Sequence, residues 1–263
     1  MRMPIPHLPP PIWRESRIGY ETASLLRDPI WRGDGLRSAG GQPVLLIPGF
    51  LAGDDSLSFM TRWLRRTGHR TKSAGIRRNV DCSAKTVDRL IERAEELAER
   101  NGRRVAVIGQ SRGGTFARVM AVRRPDLVSG IVTLGSPLTD SFEVHPLVRL
   151  NIYAVGALGA LGAKGMFGHH CLWGDCCESF WDDLEAPFPG GVGFVSVYSK
   201  TDGIVKWRSC LDEGAHHVEV NASHIGMAVN AGAYRAIATG LESFRRAERG
   251  RANVVPLRTA RAA

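Results

Sequence analysis

The pentapeptide Gly-Gln-Ser-Arg-Gly at residues 109–113 is the feature that most constrains how this chain can fold. It lies between an apolar run at 105–108, typical of a buried strand, and a segment at 114–123 that we predict to be helical. A strand that turns sharply into a helix lifts the side chain at the turn clear of the sheet, and flanking glycines avoid crowding there. Ser111 is therefore a candidate nucleophile.

Strand-like and helix-like segments alternate on both sides of this turn. Apolar runs that are bounded by turn residues predict strands at 44–47, 105–108, 130–134 and 194–198, and we predict further strands at 216–220 and, more weakly, at 70–74. Helical periodicity predicts helices at 56–66, 83–100, 114–123 and 231–246. We expect Ser83 to be the N-cap of the second of these helices. The alternation predicts an α/β fold with a mostly parallel sheet and helices on both faces.

The alternation also divides the chain into parts. Residues 42–137 and 191–246 are predicted to form the α/β core. Residues 138–190 interrupt it, either as a cap over the carboxyl edge of the sheet or as an ordinary packed helical excursion. Residues 1–41, which contain a helical candidate at 20–27, are predicted to be an N-terminal extension lying against the core. Residues 247–263 are predicted to be a basic, disordered tail.

A serine hydroxyl needs an adjacent base to act as a nucleophile. In hydrolases with the serine on such a turn, an acid and then a histidine follow it in the chain, each in a loop beyond a strand. Asp202 follows the strand predicted at 194–198, and His224 follows the strand predicted at 216–220. We therefore predict that Ser111, Asp202 and His224 form a catalytic triad, with Asp140, which follows the preceding strand, as the alternative acid.

Other carboxylates and histidines fit this role less well. Asp175 and Asp183 fall in the insertion and are expected at the surface or in the cap. Seven histidines occupy strands or their approaches, the insertion or the amino terminus, where they are not expected to act as the base: His7, His69, His145, His169, His170, His216 and His217.

Attack on a carbonyl builds negative charge on its oxygen, which backbone N–H groups can stabilise. One donor is predicted to be the N–H of Arg112, the residue after the nucleophile. The second is predicted to be the N–H of Phe50, in the loop after the first strand. Both donors are main-chain groups, so we expect the Arg112 side chain to make a structural or surface contact.

Five segments together resemble the α/β-hydrolase superfamily. They are residues 46–50, 109–114, 133–137, 198–205 and 223–226. Through them the chain from 43 to about 246 resembles bacterial lipases and esterases, including relatives of the GPI-inositol deacylase type. Two residues depart from the usual pattern: Pro48 stands where many lipases have histidine, and arginine is unusual after the nucleophile.

The resemblance implies the α/β-hydrolase fold with a cap-like insertion, no cofactor, and the roles given above for Ser111, Asp202, His224, Phe50 and Arg112. It also implies a serine hydrolase that cleaves carboxylic esters of apolar acyl groups through an acyl-enzyme intermediate. The superfamily hosts several chemistries, so two alternatives stay open. One is an acyltransferase with the same triad, and the other is a binding protein without catalysis.

The cysteines allow more than one interpretation. Cys171, Cys176 and Cys177 are close enough in sequence for a local disulfide, while His169 and His170 beside them would also suit zinc. The spacing does not match the two-plus-two ligand pattern of common zinc sites. We therefore expect thiols or a disulfide and no metal.

The net charge of +9 is concentrated towards the carboxyl terminus, where residues 245–263 contain six arginines and one glutamate. We expect a solvated tail, with weak contact to an anionic membrane as the alternative, and no nucleic-acid partner. No signal peptide is visible, and the uncharged stretch at 150–163 is too short to span a bilayer. These features predict a cytoplasmic protein. The predicted triad and the resemblance to lipases and esterases imply a small-molecule or lipid ester as its substrate.

Overall fold

The strands that the sequence predicts form one sheet. The structure, a computed structural model, describes residues 10–254, without the side chains at 173 and 252–254. The strands are β1 Pro43–Ile47, β2 Arg70–Ser73, β3 Val105–Gln110, β4 Val128–Leu134, β5 Gly193–Tyr198 and β6 His216–Glu219. They lie in the order β2-β1-β3-β4-β5-β6, and each neighbouring pair is parallel. The predicted α/β architecture with a parallel sheet is therefore confirmed.

Helices connect the strands and cover both faces of the sheet. The α-helices are α1 Ile18–Arg27, α2 Pro29–Arg32, α3 Ser58–Arg66, α4 Ser83–Asn101, α5 Arg112–Arg123, α6 Pro146–Ala160, α7 His169–Trp173, α8 Glu178–Glu185 and α9 Ala231–Val254. Short 3-10 helices are formed by Ile12–Arg17, Asp54–Leu57, Asp175–Cys177, Trp207–Cys210 and Ile225–Val229. Gly102, in the left-handed conformation, is the C-cap that ends α4.

Alternation along β1 shows how the sheet divides the core into two layers. Leu45 and Ile47 point into the layer beneath α4, α5 and α8, whereas Val44 and Leu46 point into the layer beneath α3 and α9. Successive side chains of a strand point to opposite faces, so a strand covered on both sides must be apolar throughout. This explains why the strongest strand signals in the sequence are continuous apolar runs.

The register of the sheet brings the loops that carry the candidate residues to one edge. Ile47 is paired with Gly109, Gln110 with Leu134, and Leu134 with Val197. Because all the strands are parallel, the loops that follow β1, β3, β5 and β6 leave from the same carboxyl edge. Ligand crevices of open α/β sheets form at this edge.

The segment before β1 packs into the second core layer. Leu25 of α1 and Ile30 of α2 are buried there. The helix predicted at 20–27 begins two residues earlier, at Ile18, and is preceded by the 3-10 helix Ile12–Arg17. The first nine residues lie outside the described range.

Residues 138–190 form α6, α7 and α8 between β4 and β5. We refer to this segment as the cap, although its function as a cap stays a prediction. Phe180 of α8 packs edge-on against Phe116 of α5, with 5.8 Å between the ring centroids. The helix α6 is largely apolar and leaves Leu147, Leu150 and Leu158 exposed. Within the described residues, however, no helix is both long enough and apolar enough to cross a membrane.

Two local predictions were wrong. Cys82, not Ser83, is the N-cap of α4, because the Ser83 hydroxyl accepts a hydrogen bond from the Arg112 guanidinium instead of capping the helix. The last helix continues to Val254, eight residues into the segment predicted to be a disordered tail. Glu248 pairs with Arg104, and Arg251 donates to the Gly191 carbonyl, so contacts with the body of the protein hold these extra residues of the helix. The remainder of the predicted tail, 255–263, is outside the described range.

Candidate active site

Ser111 lies on a strained turn between β3 and α5. Its backbone has φ 52° and ψ −123°, a conformation that a residue with a side chain adopts only at a cost of about 1–3 kcal/mol. Gly113 allows the turn to pass beneath the β1 loop, because a Cβ there would lie 2.3 Å from the Ile47 carbonyl oxygen. A Cβ on Gly109 would lie 2.2 Å from the Gly113 oxygen. The glycines of the pentapeptide are thus required by close backbone contacts.

Asp202 and His224 are joined directly. The His224 Nδ1 lies 2.7 Å from Asp202 Oδ2, and both side chains are buried. The other carboxylate oxygen, Oδ1, accepts hydrogen bonds from the backbone N–H groups of Ile204 and Val205, at 2.7 and 2.8 Å. A carboxylate held in this way orients the imidazole and leaves Nε2 as the ring atom that can accept a proton.

The alternative acid, Asp140, does not occupy this position. It is exposed, and its Oδ1 accepts a hydrogen bond from the backbone N–H of Phe142. Of the two carboxylates weighed from the sequence, Asp202 is the one that contacts His224.

Ser111 and His224 border the same cavity, of about 280 Å³. The Gln110 side chain next to Ser111 donates a hydrogen bond of 3.2 Å to the His224 carbonyl, which ties the histidine loop to the end of β3. Within the described residues, no hydrogen bond joins the Ser111 hydroxyl to the His224 ring. Hydrogen bonds between a catalytic nucleophile and its base often form only when a substrate is bound. The lack of this bond without substrate is therefore compatible with Ser111 as nucleophile and His224 as base.

The two predicted oxyanion donors lie on adjoining segments. A Cβ on Gly49 would lie only 3.1 Å from the Ser111 Cβ, so the loop after β1 passes directly beside the serine. Phe50 follows in this loop, and Leu51 has a positive φ of 62°. Among the described residues, neither the Phe50 nor the Arg112 backbone N–H donates to another protein group. Both are therefore available to an added oxygen atom.

Asn79 holds the loop after β1 in place, a role for which the sequence has no signal. Its buried side chain donates to the Pro48 carbonyl at 2.8 Å, and its backbone exchanges hydrogen bonds with Leu51 and Ala52. The guanidinium of Arg112 in turn donates to both oxygens of Asn79.

The Arg112 side chain makes the structural contacts expected of it. Besides Asn79, it donates to the Asp81 carbonyl at 2.7 Å and to the Ser83 hydroxyl at 3.0 Å. Its guanidinium also lies over the rings of Phe116 and Phe167, at 4.9 and 5.1 Å from their centroids. Arginine after the nucleophile therefore links α5, α4 and the loop after β1.

Two glutamates of the N-terminal segment contact the histidine loop, and neither contact has a signal in the sequence. Glu15 accepts hydrogen bonds of 2.8 to 2.9 Å from the backbone N–H groups of Gly203, His224 and Ile225. Glu21 is buried and accepts from both the N–H and the hydroxyl of Ser223. A segment that precedes the sheet thus positions the loops that carry both Asp202 and His224.

Other titratable residues considered from the sequence lie elsewhere. Asp183 pairs with Arg123 at 2.6 Å, and Asp175 is exposed. Six other histidines lie away from Asp202. His69 is hydrogen-bonded to the Leu64 carbonyl, and His145 caps α6. His169 and His170 are exposed in α7, and His216 and His217 lie on β6. His7 lies outside the described residues.

A second cavity adjoins Ser111 on the side of the cap. It measures about 90 Å³ and is lined mainly by apolar side chains, among them Phe50, Val148, Ile152, Phe167, Phe180 and Ile204. Ser111, Phe50, Val148 and Ile204 border both cavities. The serine therefore stands between an apolar cavity beneath the cap and the larger cavity that holds His224.

Comparison with known proteins supports the architecture. A family model described as the α/β hydrolase fold matches residues 42–153, the stretch that runs from β1 into α6. The chain has the α/β-hydrolase fold. The superfamily resemblance stated from the sequence is thereby confirmed, whereas the narrower likeness to GPI-inositol deacylases stays a prediction.

Solved structures share this α/β-hydrolase architecture at low sequence identity. The mature lipase BlEst2 of Bacillus licheniformis superposes with a TM-score of 0.57 at 13% identity, over 79% of this chain and 94% of that one. The metagenomic carboxyl esterase MGS0156 also has a TM-score of 0.57, at 15% identity over 94% and 97% of the two chains. A soluble variant of monoglyceride lipase from Saccharomyces cerevisiae reaches 0.54 at 12% identity, over 82% and 88%. No curated protein sequence matches the chain.

Proposed function

We propose that the protein is a serine hydrolase that cleaves carboxylic esters with an apolar acyl group. The observation that carries the proposal is the buried hydrogen bond between Asp202 and His224, beside the cavity bordered by Ser111 on its strained turn. A serine, a carboxylate and a histidine in this relation make up the machinery of acyl transfer. The similar structures described above are two lipases and a carboxyl esterase, which supports ester chemistry.

The reaction follows from the roles of these groups. Ser111 Oγ attacks the ester carbonyl carbon as His224 Nε2 accepts the hydroxyl proton, and the carbonyl oxygen becomes an oxyanion that receives the N–H groups of Phe50 and Arg112. When the tetrahedral intermediate collapses, the bond to the alcohol breaks and the alcohol leaves with the proton from His224. A water molecule then attacks the acyl-serine by the same steps in reverse and releases the acid.

We propose that the acyl chain and the alcohol of the ester occupy different cavities. The cavity of about 90 Å³ beneath the cap is lined mainly by aromatic and aliphatic side chains, which favours the acyl chain. The cavity of about 280 Å³ contains His224, the group that must protonate the departing alcohol. An acyl chain that fills the first cavity thus places its alcohol in the second.

Replacement of Ser111 tests this function. A fluorophosphonate probe is expected to label the wild-type protein and Ser243→Ala, a serine control on α9, but not Ser111→Ala. A series of nitrophenyl esters of increasing chain length, assayed beside Ser111→Ala, should show turnover that depends on this serine. Equal labelling of wild type and Ser111→Ala would contradict the proposal.

Two alternatives to ester hydrolysis are separated by further results. Product analysis with added alcohols distinguishes hydrolysis from acyl transfer by the same triad, and any Ser111-dependent turnover excludes a purely binding role.

The pKa of His224 is raised above its ordinary value. Burial by itself would lower this pKa, but the charge of Asp202, the hydrogen bond from Nδ1 to that carboxylate and the charge of Glu15 outweigh burial. His224 accepts the serine proton only when its ring is neutral. Activity should therefore be lost as the pH falls through the raised pKa.

We expect Glu15→Gln to move the acid limb of the kcat/KM profile to lower pH. Removing the negative charge lowers the pKa of His224, so its ring stays neutral to a lower pH. The measurement is kcat/KM for a soluble ester as a function of pH. Glu213→Gln, which neutralises an exposed carboxylate, should leave the limb where it is. If Glu15→Gln lowers kcat/KM at every pH but leaves the pKa of the acid limb unchanged, Glu15 acts on the loop structure alone.

A further inference from the structure

Four of the five cysteines converge in space although one of them is far from the others in sequence. The Sγ atoms of Cys82, Cys171, Cys176 and Cys177 all lie within 4.8 Å of one another. The distances between them include 3.5 Å for Cys82–Cys177, 3.4 Å for Cys171–Cys176 and 3.8 Å for Cys176–Cys177. All four are free thiols.

The cluster joins the cap to the core. Cys82 is the N-cap of α4, while Cys171 lies in α7, and Cys176 and Cys177 lie in the short 3-10 helix that follows α7. Cys82 and Cys177 are separated by 95 positions in the chain. The histidines that made zinc an alternative in the sequence, His169 and His170, are exposed and do not belong to the cluster.

The geometry points to a structural metal site in which Cys82, Cys171, Cys176 and Cys177 bind one Zn²⁺ ion as thiolates. Four cysteines are a common ligand set of structural zinc, which prefers a closed tetrahedron of sulfur atoms. With Zn–S bonds of about 2.3 Å, the edges of that tetrahedron measure about 3.8 Å. The three sulfur–sulfur distances given above, 3.4 to 3.8 Å, are close to this edge length.

The arrangement fits a metal better than two disulfides. A disulfide draws two sulfurs to about 2.05 Å and leaves the second pair separate. Here Cys176 is close to two other sulfurs, Cys171 and Cys177, and Cys177 is close to Cys82 as well. The four atoms therefore form one connected group with a shared centre, as a single central ion requires.

The surroundings suit the charge of such a centre. Four thiolates around Zn²⁺ carry a net charge of −2, and forming them from thiols releases four protons to solvent. Cys82 is the N-cap of α4, and the amino terminus of a helix favours negative charge. The Arg112 guanidinium lies close enough to interact electrostatically with Cys82, Cys171 and Cys177.

A metal ion bound at this site would hold the cap in place against the core. Cys171 also borders the apolar cavity next to Ser111, so the metal would hold one wall of that cavity against the start of α4. Cys176 is exposed, which leaves an entry path for the ion from solvent. The role is structural, since a site closed by four thiolates leaves no position for a substrate.

Metal analysis of the full chain tests the inference. Protein produced with added zinc sulfate and reducing agent, then desalted, should contain close to one zinc ion per chain by mass spectrometry of the elements. Cys176→Ser, which changes the exposed ligand, should lower this content severalfold. Cys210→Ser is the matched control, because Cys210 is buried and lies outside the cluster, and it should retain the wild-type content.

Two measurements on the wild-type protein keep the test independent of variants that fail to fold. Cobalt added in place of zinc should produce the visible absorption of tetrahedral cobalt thiolate, and a chelator should lower the thermal midpoint until zinc is restored. Wild-type zinc content no higher than that of Cys176→Ser would overturn the inference. So would non-reducing mass spectrometry showing these four cysteines joined as disulfides. None of these readouts depends on esterase activity.

Discussion

Replacing His224 by alanine is expected to lower kcat for ester hydrolysis by roughly 10⁵- to 10⁶-fold. The imidazole is the group hydrogen-bonded to Asp202, and without it no side chain in the predicted triad can take the proton from Ser111. The residual rate comes from substrate binding and from the backbone donors of Phe50 and Arg112. Steady-state kinetics with a short-chain nitrophenyl ester measures the effect, with active-site titration of the wild type to fix the enzyme concentration.

Two further variants make this prediction specific. His217→Ala removes a histidine of β6 whose Nε2 lies 2.8 Å from the Asp212 carbonyl, and it should change kcat little. The double variant Ser111→Ala/His224→Ala should be about as slow as either single variant, because groups that act as one unit do not contribute additively. Losses that multiply in the double variant would mean that the serine and the histidine do not work together.

Arg118→Ala is expected to lower the free energy of unfolding by about 3–5 kcal/mol. Arg118 is buried in α5 and forms a 2.5 Å ion pair with buried Asp212. Its other two nitrogens donate to the carbonyls of Asp183 and Ala186 at the end of α8. Removing the guanidinium leaves a buried carboxylate without its countercharge and two carbonyls without their donor, which is far more costly than losing a surface pair. Urea unfolding followed by circular dichroism measures the change.

The matched control is Arg124→Ala, one helical turn and a half further along. Arg124 pairs with Glu95 and Asp126 at the surface, so its loss should cost less than about 1 kcal/mol. Replacing both partners of the buried pair, as in Arg118→Met/Asp212→Leu, should recover part of the stability lost in Arg118→Ala, because no unpaired charge is left. Equal losses for Arg118→Ala and Arg124→Ala would contradict the assignment.

The order of Ser111, Asp202 and His224 along the chain was the most useful information in the sequence. Ser111 and Asp202 each follow an apolar run that could be recognised locally, and His224 follows the predicted strand at 216–220. Parallel strands place the loops after them at one edge. That reasoning was enough to prefer Asp202 to Asp140, and the structure joins Asp202 to His224. The sharp turn at 109–113 could also be recognised locally. Its glycines are required by close contacts with residues a few positions away and with the end of β1.

The predictions that failed depend on contacts between distant parts of the chain. Ser83 looked like an N-cap, but Arg112 engages its hydroxyl. The last helix extends beyond 246 because Arg104 and Gly191, far away in sequence, contact its final turns. Local propensity is a weak guide wherever such a tertiary contact is available to override it.

The six strands, the helices α1, α3, α4, α5 and α9, the sharp turn at Ser111 and the order of the candidate catalytic residues could be predicted from the sequence by itself, because apolar periodicity and glycine placement act over short distances. Only the tertiary structure decided that Glu15 and Glu21 lie against the histidine loop, that Asn79 and Arg112 hold the loop after β1, and that Cys82 meets three cysteines of the cap. These groups meet because the sheet and its helices bring remote segments together, and no pattern among neighbouring residues encodes which buried polar groups become partners.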